Sequence, residues 1–598
     1  MAAVQAMTGG GGWPMSVFLT PDGQPFYGGT YFPPQPAHGM PAFRQVLSGV
    51  ARAWREDRLE VVSSAGKMVE ALVAQSQSSP AAAGAPPPTR EVLDQAAAEI
   101  EGQFDARNGG WGSAPKFPQP MTIEFLLRRA ATTGDPRPLA VARRSLDAMA
   151  DGGIRDQLGG GFHRYATDAI WLVPHFEQML YDNGQLARAY VHAWEATGDD
   201  RYRAVATGTL DYLLRELRRD DGTFAASQDA DTDGEEGGTF VWTAAEVREV
   251  LGDAAPAFSA AYDVTDDGNW EGRTILRRVL PAGEEAGEAP LAASRARLLE
   301  RRAGRPQPAR DDKALAAWNG LAIGALADAG RAFPEPRYID AAIAAADQIL
   351  AGLRRPDGRL GRSWKDGRST GEGVLEDYAD LADGLLALYE ATFDERWFAA
   401  ARELADVILG HFADPAGGFF DTADDHEALV TRPKDLQDNA TPAGGSMATV
   451  VLLRLAALTG DARYGEAADG ALASVAPFLG RYPTAFANWL SAAHLAVEGI
   501  DELAVVGDPA DPATVGLVAS ARSAALASGR NLAVAVAADP DASAIPLLAG
   551  RTMINSHSTA YLCRNFACRL PVTEPAALRA QFEEAAAPSA FAAAPVEP

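Results

Sequence analysis

Two cysteines, Cys563 and Cys568, are all that 598 residues contain. That scarcity excludes a disulfide framework and a four-cysteine structural zinc site. The pair is close enough in sequence for one bond, but in a chain read as cytoplasmic two free thiols are the expectation. Basic residues are also short, with 53 Lys and Arg against 80 Asp and Glu and a formal net charge of -27. No basic stripe stands out to meet phosphates, so neither a nucleic-acid partner nor an anionic membrane is expected. No apolar run approaches the ~18 residues that span a bilayer. Residues 1–12 lack the basic start and apolar core of a leader, which makes a cytoplasmic location the default. No Ser nucleophile elbow, P-loop or dinucleotide fingerprint occurs; no cofactor and no metal are expected.

What is present is globular: 47% hydrophobic and 22% charged residues. The length suits two to four domains of about 150 residues, or one large domain. Near the start, "GGWPMSVFLTPDGQPFYGG" reads as a hairpin. Met15–Leu19 is β-rich, Thr20-Pro21-Asp22-Gly23 is a turn, and Pro25-Phe26-Tyr27 returns. Two strands alone are marginal in water, so the hairpin needs partners, from later in the chain or from a missing segment. The Trp13–Pro14 peptide is open between cis, which aromatic–Pro bonds adopt more often than most X–Pro bonds, and ordinary trans, which the base rate favours. Residues 42–73 read as helical, with Phe43, Val46, Leu47, Val50 and Trp54 on one face. Residues 76–89, "SQSSPAAAGAPPPT", form a linker, and 586–598 a flexible tail.

Between residues 90 and 500 a repeat emerges. "TTGDPRPLAVARRSL", "ATGDDRYRAVATGTL", "AFPEPRYIDAAIAAA", "ATFDERWFAAARELA" and "LTGDARYGEAADGAL" each carry an acidic or Pro-containing turn before an Ala-rich helix. Each follows another helical stretch: Thr122–Ala131, Asn183–Thr197, Ala314–Ala332, Asp377–Thr392 and Gly444–Leu458, with Ala485–Val497 as an unpaired sixth. Residues 220–310 hold a long insertion. Helix pairs cannot bury their apolar faces alone, and stack into a solenoid or a ring. The long loops and the large repeat favour a closed six-hairpin α/α toroid over an open superhelix. From residue 501 to 585 the pattern becomes a small α/β unit, with strands "DELAVVG", "NLAVAVA" and "STAYLC" around a helix over 512–528. Its sheet is one source of partners for the opening hairpin.

Chemistry-bearing residues cluster just before the inner helices. In "GGGFHRYATDAIWLVPHFEQMLYDN", His175 and Glu177 share a face if extended, with His163, Trp171, Tyr181 and Asp182 nearby. A His beside a carboxylate can act as an oriented acid or base, and aromatic rings stack on sugars. The plainer alternative is a satisfied buried His and a capping Asp. In "SQDADTDGEEGGTFVWT", Asp229, Asp231, Asp233 and Gly234 match the start of a calcium loop. Its twelfth position is Phe240 rather than Glu, so a hydrated turn or an acidic rim, with Trp242 and Trp270 as platforms, is expected instead. Trp318 with Asn319, then Glu376, Asp377 and Tyr378, and finally Asp438 with Asn439 stand at further inner-helix starts.

Taken in order, "GGWPMSVFLTPDGQPFYGGTYFPP", "LVPHFEQMLYDN", "DADTDGEEGGTFVWT", "DDKALAAWNGL", "EDYADL" and "YLCRNFACRLPVT" resemble the successive motifs of the spermatogenesis-associated, thioredoxin-domain protein family. The resemblance covers residues 4–573. It implies a thioredoxin-like N-terminal domain and a six-hairpin toroid similar to N-acylglucosamine 2-epimerases and glycoside hydrolases. Family members carry a paired-cysteine "CHWCH" motif upstream of the stretch matching Gly9–Pro34, and it is absent here. By this resemblance Pro14 is the cis-proline that would face those cysteines, and residues 1–75 are an N-terminally truncated thioredoxin-like segment.

The expected fold is therefore mainly α: a partial thioredoxin-like segment (1–75), linker (76–89), six-hairpin α/α toroid (90–500), small α/β unit (501–585) and tail (586–598). The expected function is a toroid that binds or acts on a small-molecule sugar, as an isomerase or hydrolase. His175, Glu177, Asp182, Asp229, Asp231, Glu376 and Asp377 are the catalytic candidates. His163, Trp171, Tyr181, Trp242, Trp270, Trp318, Asn319, Tyr378 and Asn439 are candidates to bind the ligand. The alternative is a redox-linked accessory or interaction protein with a protein partner and no catalysis, in which Cys563 and Cys568 are a candidate redox pair.

Overall fold

Four of the acidic turns share one piece of capping chemistry. At Thr133-Gly134-Asp135, Thr197-Gly198-Asp199, Thr392-Phe393-Asp394 and Thr459-Gly460-Asp461, the Thr hydroxyl donates to the carbonyl four residues back. The next residue is left-handed, with φ of 69°, 68°, 55° and 68°. The Asp side chain then accepts the backbone N–H two residues on, capping the next helix. A helix stop and a helix start are thus written in three residues.

In the computed structural model, residues 1–12, 14–37, 39–77, 86–279, 287–427 and 430–586 are described. They divide into two compact units, Met1–Ala82 with Phe420–Asp435, and Ala83–Phe419 with Leu436–Pro598. The first holds α1 (Ala2–Thr8), the strands β1 (Ser16–Leu19) and β2 (Pro25–Gly29), then α2 (Phe43–Glu56) and α3 (Arg58–Gln77). The expected hairpin is present, antiparallel from Ser16↔Gly29 to Leu19↔Pro25, with Gly23 at φ 79° in its turn. Among the described residues these strands pair only with each other, so the C-terminal sheet does not supply their partner. The Trp13–Pro14 peptide, the body of the linker and the tail lie outside the described residues.

The second unit alternates outer and inner helices. The outer ones are α4 (Arg90–Gly102), α6 (Pro136–Asp151), α8 (Asp200–Tyr212), α13 (Pro336–Leu353), α15 (Glu395–His411) and α17 (Ala462–Leu479). The inner ones are α5 (Pro120–Thr133), α7 (Leu180–Thr197), α12 (Ala316–Ala332), α14 (Leu375–Thr392), α16 (Gly444–Thr459) and α18 (Ala487–Glu498). Each inner helix packs on the next, and α18 returns to α5, closing the ring. The sixth inner helix, unpaired in the sequence, packs against α4 from the start of the toroid. Inner helices are buried nearly all round, as ring staves must be. Small residues permit close approach: a Cβ on Gly320 would lie 2.4 Å from the Asp380 carbonyl oxygen, and one on Gly384 2.3 Å from that of Gly320.

The insertion between α8 and α12 folds as α9 (Ala244–Leu251), α10 (Ala255–Ala261) and α11 (Glu288–Ala303) around Trp242, Phe258, Tyr262 and Leu298. Loops at the end where the inner helices begin carry short strands. β3 (Tyr165–Ala166) pairs with β4 (Pro174–His175), and β5 (Gln178–Met179), β6 (Ser227–Gln228) and β9 (Arg310–Asp311) form one sheet. β7 (Asp231–Thr232) and β8 (Glu235–Glu236) make a hairpin, and β10 (Ala314–Leu315), β11 (Gly361–Lys365) and β12 (Arg368–Glu372) a further sheet. At the opposite end, β13 (Ile500–Val506) leaves α18 directly. It pairs in parallel with β14 (Asn531–Ala537) across α19 (Pro512–Ala527), and antiparallel with β15 (Thr559–Arg564). β16 (Ala567–Cys568) is the edge strand, and α20 (Pro575–Ala586) packs on α19. The expected α/β unit is therefore present, and it shares one compact unit with the ring. Among the described residues no helix is long and apolar enough to cross a membrane.

Candidate functional site

The chain from Phe162 to Asn183 runs through β3, β4 and β5 into the first turn of α7. Asp168 holds its central turn by accepting the backbone N–H groups of Ile170, Leu172 and Val173. Pairing of Tyr165 with His175 stacks their rings 5.1 Å apart. His175 stands between two carboxylates, with Nε2 3.6 Å from Glu177 and Nδ1 2.8 Å from Glu236. Glu177 and Glu236 raise its pKa above the ordinary value. Contact with His175, and then Arg164 donating from 2.9 Å, hold Glu177 below the usual carboxylate range. His163 has a different character. Its ring lies edge-on to Phe176 and Phe240, Nδ1 meets the Phe176 carbonyl at 2.9 Å, and burial lowers its pKa to about 4. It is a neutral core histidine.

Five residues on from Glu177, Asp182 occupies the first turn of α7. Its side chain is buried, and Oδ2 is sealed from solvent with no hydrogen-bond partner. Burial pushes its pKa well above the usual range; the charge of Glu177 adds to this and Arg164 opposes it. Beside it, Tyr181 meets half-buried Trp318 edge-to-face at 4.8 Å. Two carboxyl groups of opposite tendency thus stand next to an aromatic corner at the mouth of the ring.

The next inner helices extend the polar mouth. Asp377 accepts from the backbone N–H groups of Ala317 and Val374 and from Arg362, yet burial raises it to about 7. Glu376 shares Arg362 at 2.7 Å. One turn deeper, Asp380 has neither carboxyl oxygen partnered, and burial, with Glu376 and its acidic neighbours, drives its pKa far up. Asp380 was missed in the sequence because it reads as one more polar position in "EDYADL". Asp438 joins two helix starts, accepting from Ser446, Ala443, Asn488 and Trp489; burial sets it at about 6. Asn439 beside it is exposed. The loop they begin reaches α7, where the Gln185 side chain donates to the Ala440 carbonyl at 2.8 Å.

Several ligand-binding candidates have other partners. Asn319 is fully buried: it accepts from the Phe224 N–H and donates to the carbonyls of Phe224 and Leu315. Asn183 makes the same clamp one hairpin earlier, on Phe162 and Met179. The Tyr378 hydroxyl accepts from the Leu360 N–H in the equivalent place. These three tie α7, α12 and α14 to the loops that lead to them. Trp171 and Trp242 are buried in the core, the second beneath Arg305 at 3.9 Å. Trp270 is half-buried, 5.6 Å from Phe176. Asp229 and Asp231 are exposed. The acidic loop is the β7–β8 hairpin, turning through Asp233 and Gly234 at φ 54° and 81°, which is the pairing a two-residue turn requires. Its contribution to the mouth is Glu236.

A second polar region runs down the ring axis, in a cavity of about 260 Å³ closed by Ile500 and Asn531–Ala533. Arg188 joins Asp328 and Asp383 at 2.7 and 2.5 Å, and Arg454 joins Asp383 and Glu390. His192 bridges Glu124 and Asp328. Burial works against its charge, but Glu124 and Asp328 outweigh it and hold the pKa at about 10.

The expectation of free thiols is corrected. Cys563 and Cys568 face each other across β15 and β16 and are disulfide-bonded. The reading from spacing missed the hairpin that places them opposite.

Fold and mouth together define a closed α/α toroid with a split pair of carboxyl groups at the start of its inner helices. Residues 1–73 match the thioredoxin-like family described as "Protein of unknown function, DUF255". Spermatogenesis-associated protein 20 of Homo sapiens is 34% identical over 634 residues, spanning 97% of this chain and 80% of that protein. Protein B0495.5 of Caenorhabditis elegans is 30% identical over 621 residues, 96% of this chain and 84% of its own length. The chain belongs to the spermatogenesis-associated protein 20 family. Among solved structures it is similar to cellobiose 2-epimerase from Spirochaeta thermophila (16% identity, TM-score 0.38, 65% of this chain and 86% of that one). It is also similar to an unsaturated glucuronyl hydrolase specific for heparin (13%, TM-score 0.42, 68% and 95%).

Proposed function

We propose that the mouth of the toroid binds a polyhydroxylated ligand of carbohydrate type and transfers protons on it, as an isomerase or a hydrolase. Asp182 is the acid and Glu177 the base. The observation that carries this reading is their contrast: a buried carboxyl with an unpartnered oxygen, driven toward its neutral form, beside a carboxylate held ionised by His175 and Arg164. Neighbouring groups whose environments push their pKa values apart can give and take a proton at one pH. His175, fixed by Glu236, orients Glu177. Half-buried Trp318, held edge-to-face by Tyr181, offers an apolar face to a sugar ring.

The test is a panel of reducing sugars and glycosides incubated in deuterium oxide and followed by proton NMR. Deuterium entering beside the carbonyl reports isomerisation, and new reducing ends report hydrolysis. Turnover of at least one substrate is expected, falling about 100-fold or more in Asp182→Asn and in Glu177→Gln. Turnover that survives both substitutions, or a panel that neither reacts nor raises the melting temperature saturably, overturns the proposal.

A further inference from the structure

At the far end of this unit from the mouth, the β15–β16 hairpin carries both cysteines of the chain. Its two-residue turn, Asn565-Phe566, has φ of 50° and 61°. The Phe566 N–H donates to Glu502 at 2.8 Å, and the Phe566 ring lies against Gly460, pinning the hairpin tip. The two cysteines differ in access. Cys563 is 2% exposed, whereas Cys568, on the edge strand, is open to solvent. One guanidinium serves both: Arg551 Nη2 lies 3.0 Å from Cys568 Sγ and 3.4 Å from Cys563 Sγ. Among the described residues Arg551 forms no ion pair, and its Nε is sealed without a partner. Of the charged neighbours, Glu502 holds the Phe566 N–H and acts on Arg551 through its charge without closing an ion pair, Arg564 pairs with Asp501 at 3.0 Å, and Arg569 with Glu584 at 3.5 Å.

From this arrangement we infer that Cys563 and Cys568 form a thiol–disulfide exchange site, with Cys568 the attacking sulfur, Cys563 the resolving one and Arg551 the group that stabilises the thiolate. In the reduced state the Cys568 thiolate attacks a small-molecule or peptide disulfide RSSR. A Cys568–SR bond forms, the S–S bond of RSSR breaks, and one RS⁻ leaves. Cys563 then gives its proton to solvent and attacks Cys568 Sγ, expelling the second RS⁻ and closing the Cys563–Cys568 bond. Two electrons pass from the dithiol to RSSR, and a dithiol reductant runs the sequence backwards. Exposure selects Cys568 as the sulfur a partner can reach, and the nearby unpaired guanidinium raises its thiolate fraction. The pinned hairpin keeps Cys563 opposite, so resolution needs no rearrangement. This site is independent of the proton-transfer chemistry at the mouth.

The experiment takes the full chain, reduces it with a phosphine, removes the reductant and follows iodoacetamide labelling of each cysteine by peptide mapping between pH 5 and 9. Cys568 is expected to label faster than Cys563, with half-maximal rate below the pH of about 8.5 typical of a free cysteine. Arg551→Gln slows Cys568 about five- to tenfold at pH 7, and Arg551→Lys restores most of the rate. With glutathione disulfide, Cys563→Ser traps glutathione on Cys568, while the parent chain releases two glutathiones and regains its bond. Circular dichroism confirms that each variant is folded. The inference is overturned if the bond resists millimolar dithiol in the folded protein, if glutathione is trapped on Cys563 in Cys568→Ser but not on Cys568 in Cys563→Ser, or if Arg551→Gln leaves the Cys568 rate unchanged.

Discussion

Glu236, at the end of an exposed acidic hairpin, reaches back to His175 and sets Oε1 2.8 Å from Nδ1. This contact joins the two motifs that stand out most in the sequence, and makes the hairpin a support for the histidine. Glu236→Gln is expected to lower the pKa of His175, read by NMR titration of its ring protons. The sign follows from linkage: the folded pKa lies above the unfolded one, so the stabilisation is complete below about 6.5 and disappears as pH rises through the folded value. Glu236 is largely exposed, so the effect on global stability is small, and the titration is the decisive readout.

Asp182→Asn separates stability from activity. A carboxyl whose folded pKa is raised favours the folded state most at low pH, and that advantage is lost as pH climbs from about 3.9 to the folded value. Removing the ionisable group removes the loss. Calorimetry between pH 4 and 7 should show a flatter profile for the variant and a melting temperature at pH 7 no lower than the parent's, while turnover falls.

The clamp made by Asn319 is structural. Asn319→Ala leaves the Phe224 backbone pair without its partner inside the ring, and should cost about 2–4 kcal/mol in urea denaturation. Asn439→Ala, at an exposed position, should stay within about 0.5 kcal/mol. Equal effects of the two would contradict the assignment.

On the axis, His192 keeps its proton well above neutrality. Its contribution to stability is complete below about 6.5 and lost as pH rises toward about 10. The parent chain should therefore lose stability between pH 7 and 10 more steeply than His192→Asn.

The ring was legible in the sequence because each Thr-x-Asp turn carries its own capping chemistry, and a local signal survives without knowledge of the fold. The pairing of α4 with α18 was not legible, since no local pattern says that a helix near the start packs against one near the end. The mouth was legible in part. His175, Glu177 and Asp182 lie within eight residues; the first two are in contact, and the charge of Glu177 acts on Asp182. Asp229 and Asp231 stand out by their spacing, but both face solvent, and it is Glu236 of the same hairpin that meets His175. The axial charges on Arg188, His192, Asp328 and Asp383 were not legible, because single charges at helical spacing look the same in a sequence whether they face bulk solvent or the ring axis.

The central claim, that a neutral Asp182 stands beside an ionised Glu177 at working pH, is open to direct measurement by infrared difference spectroscopy at pH 7. Subtracting the spectrum of Asp182→Asn from that of the parent should remove a protonated-carboxyl band, and subtracting that of Glu177→Gln should remove carboxylate bands alone. Loss of carboxylate bands in both subtractions, with no protonated band assigned to Asp182, would contradict the account.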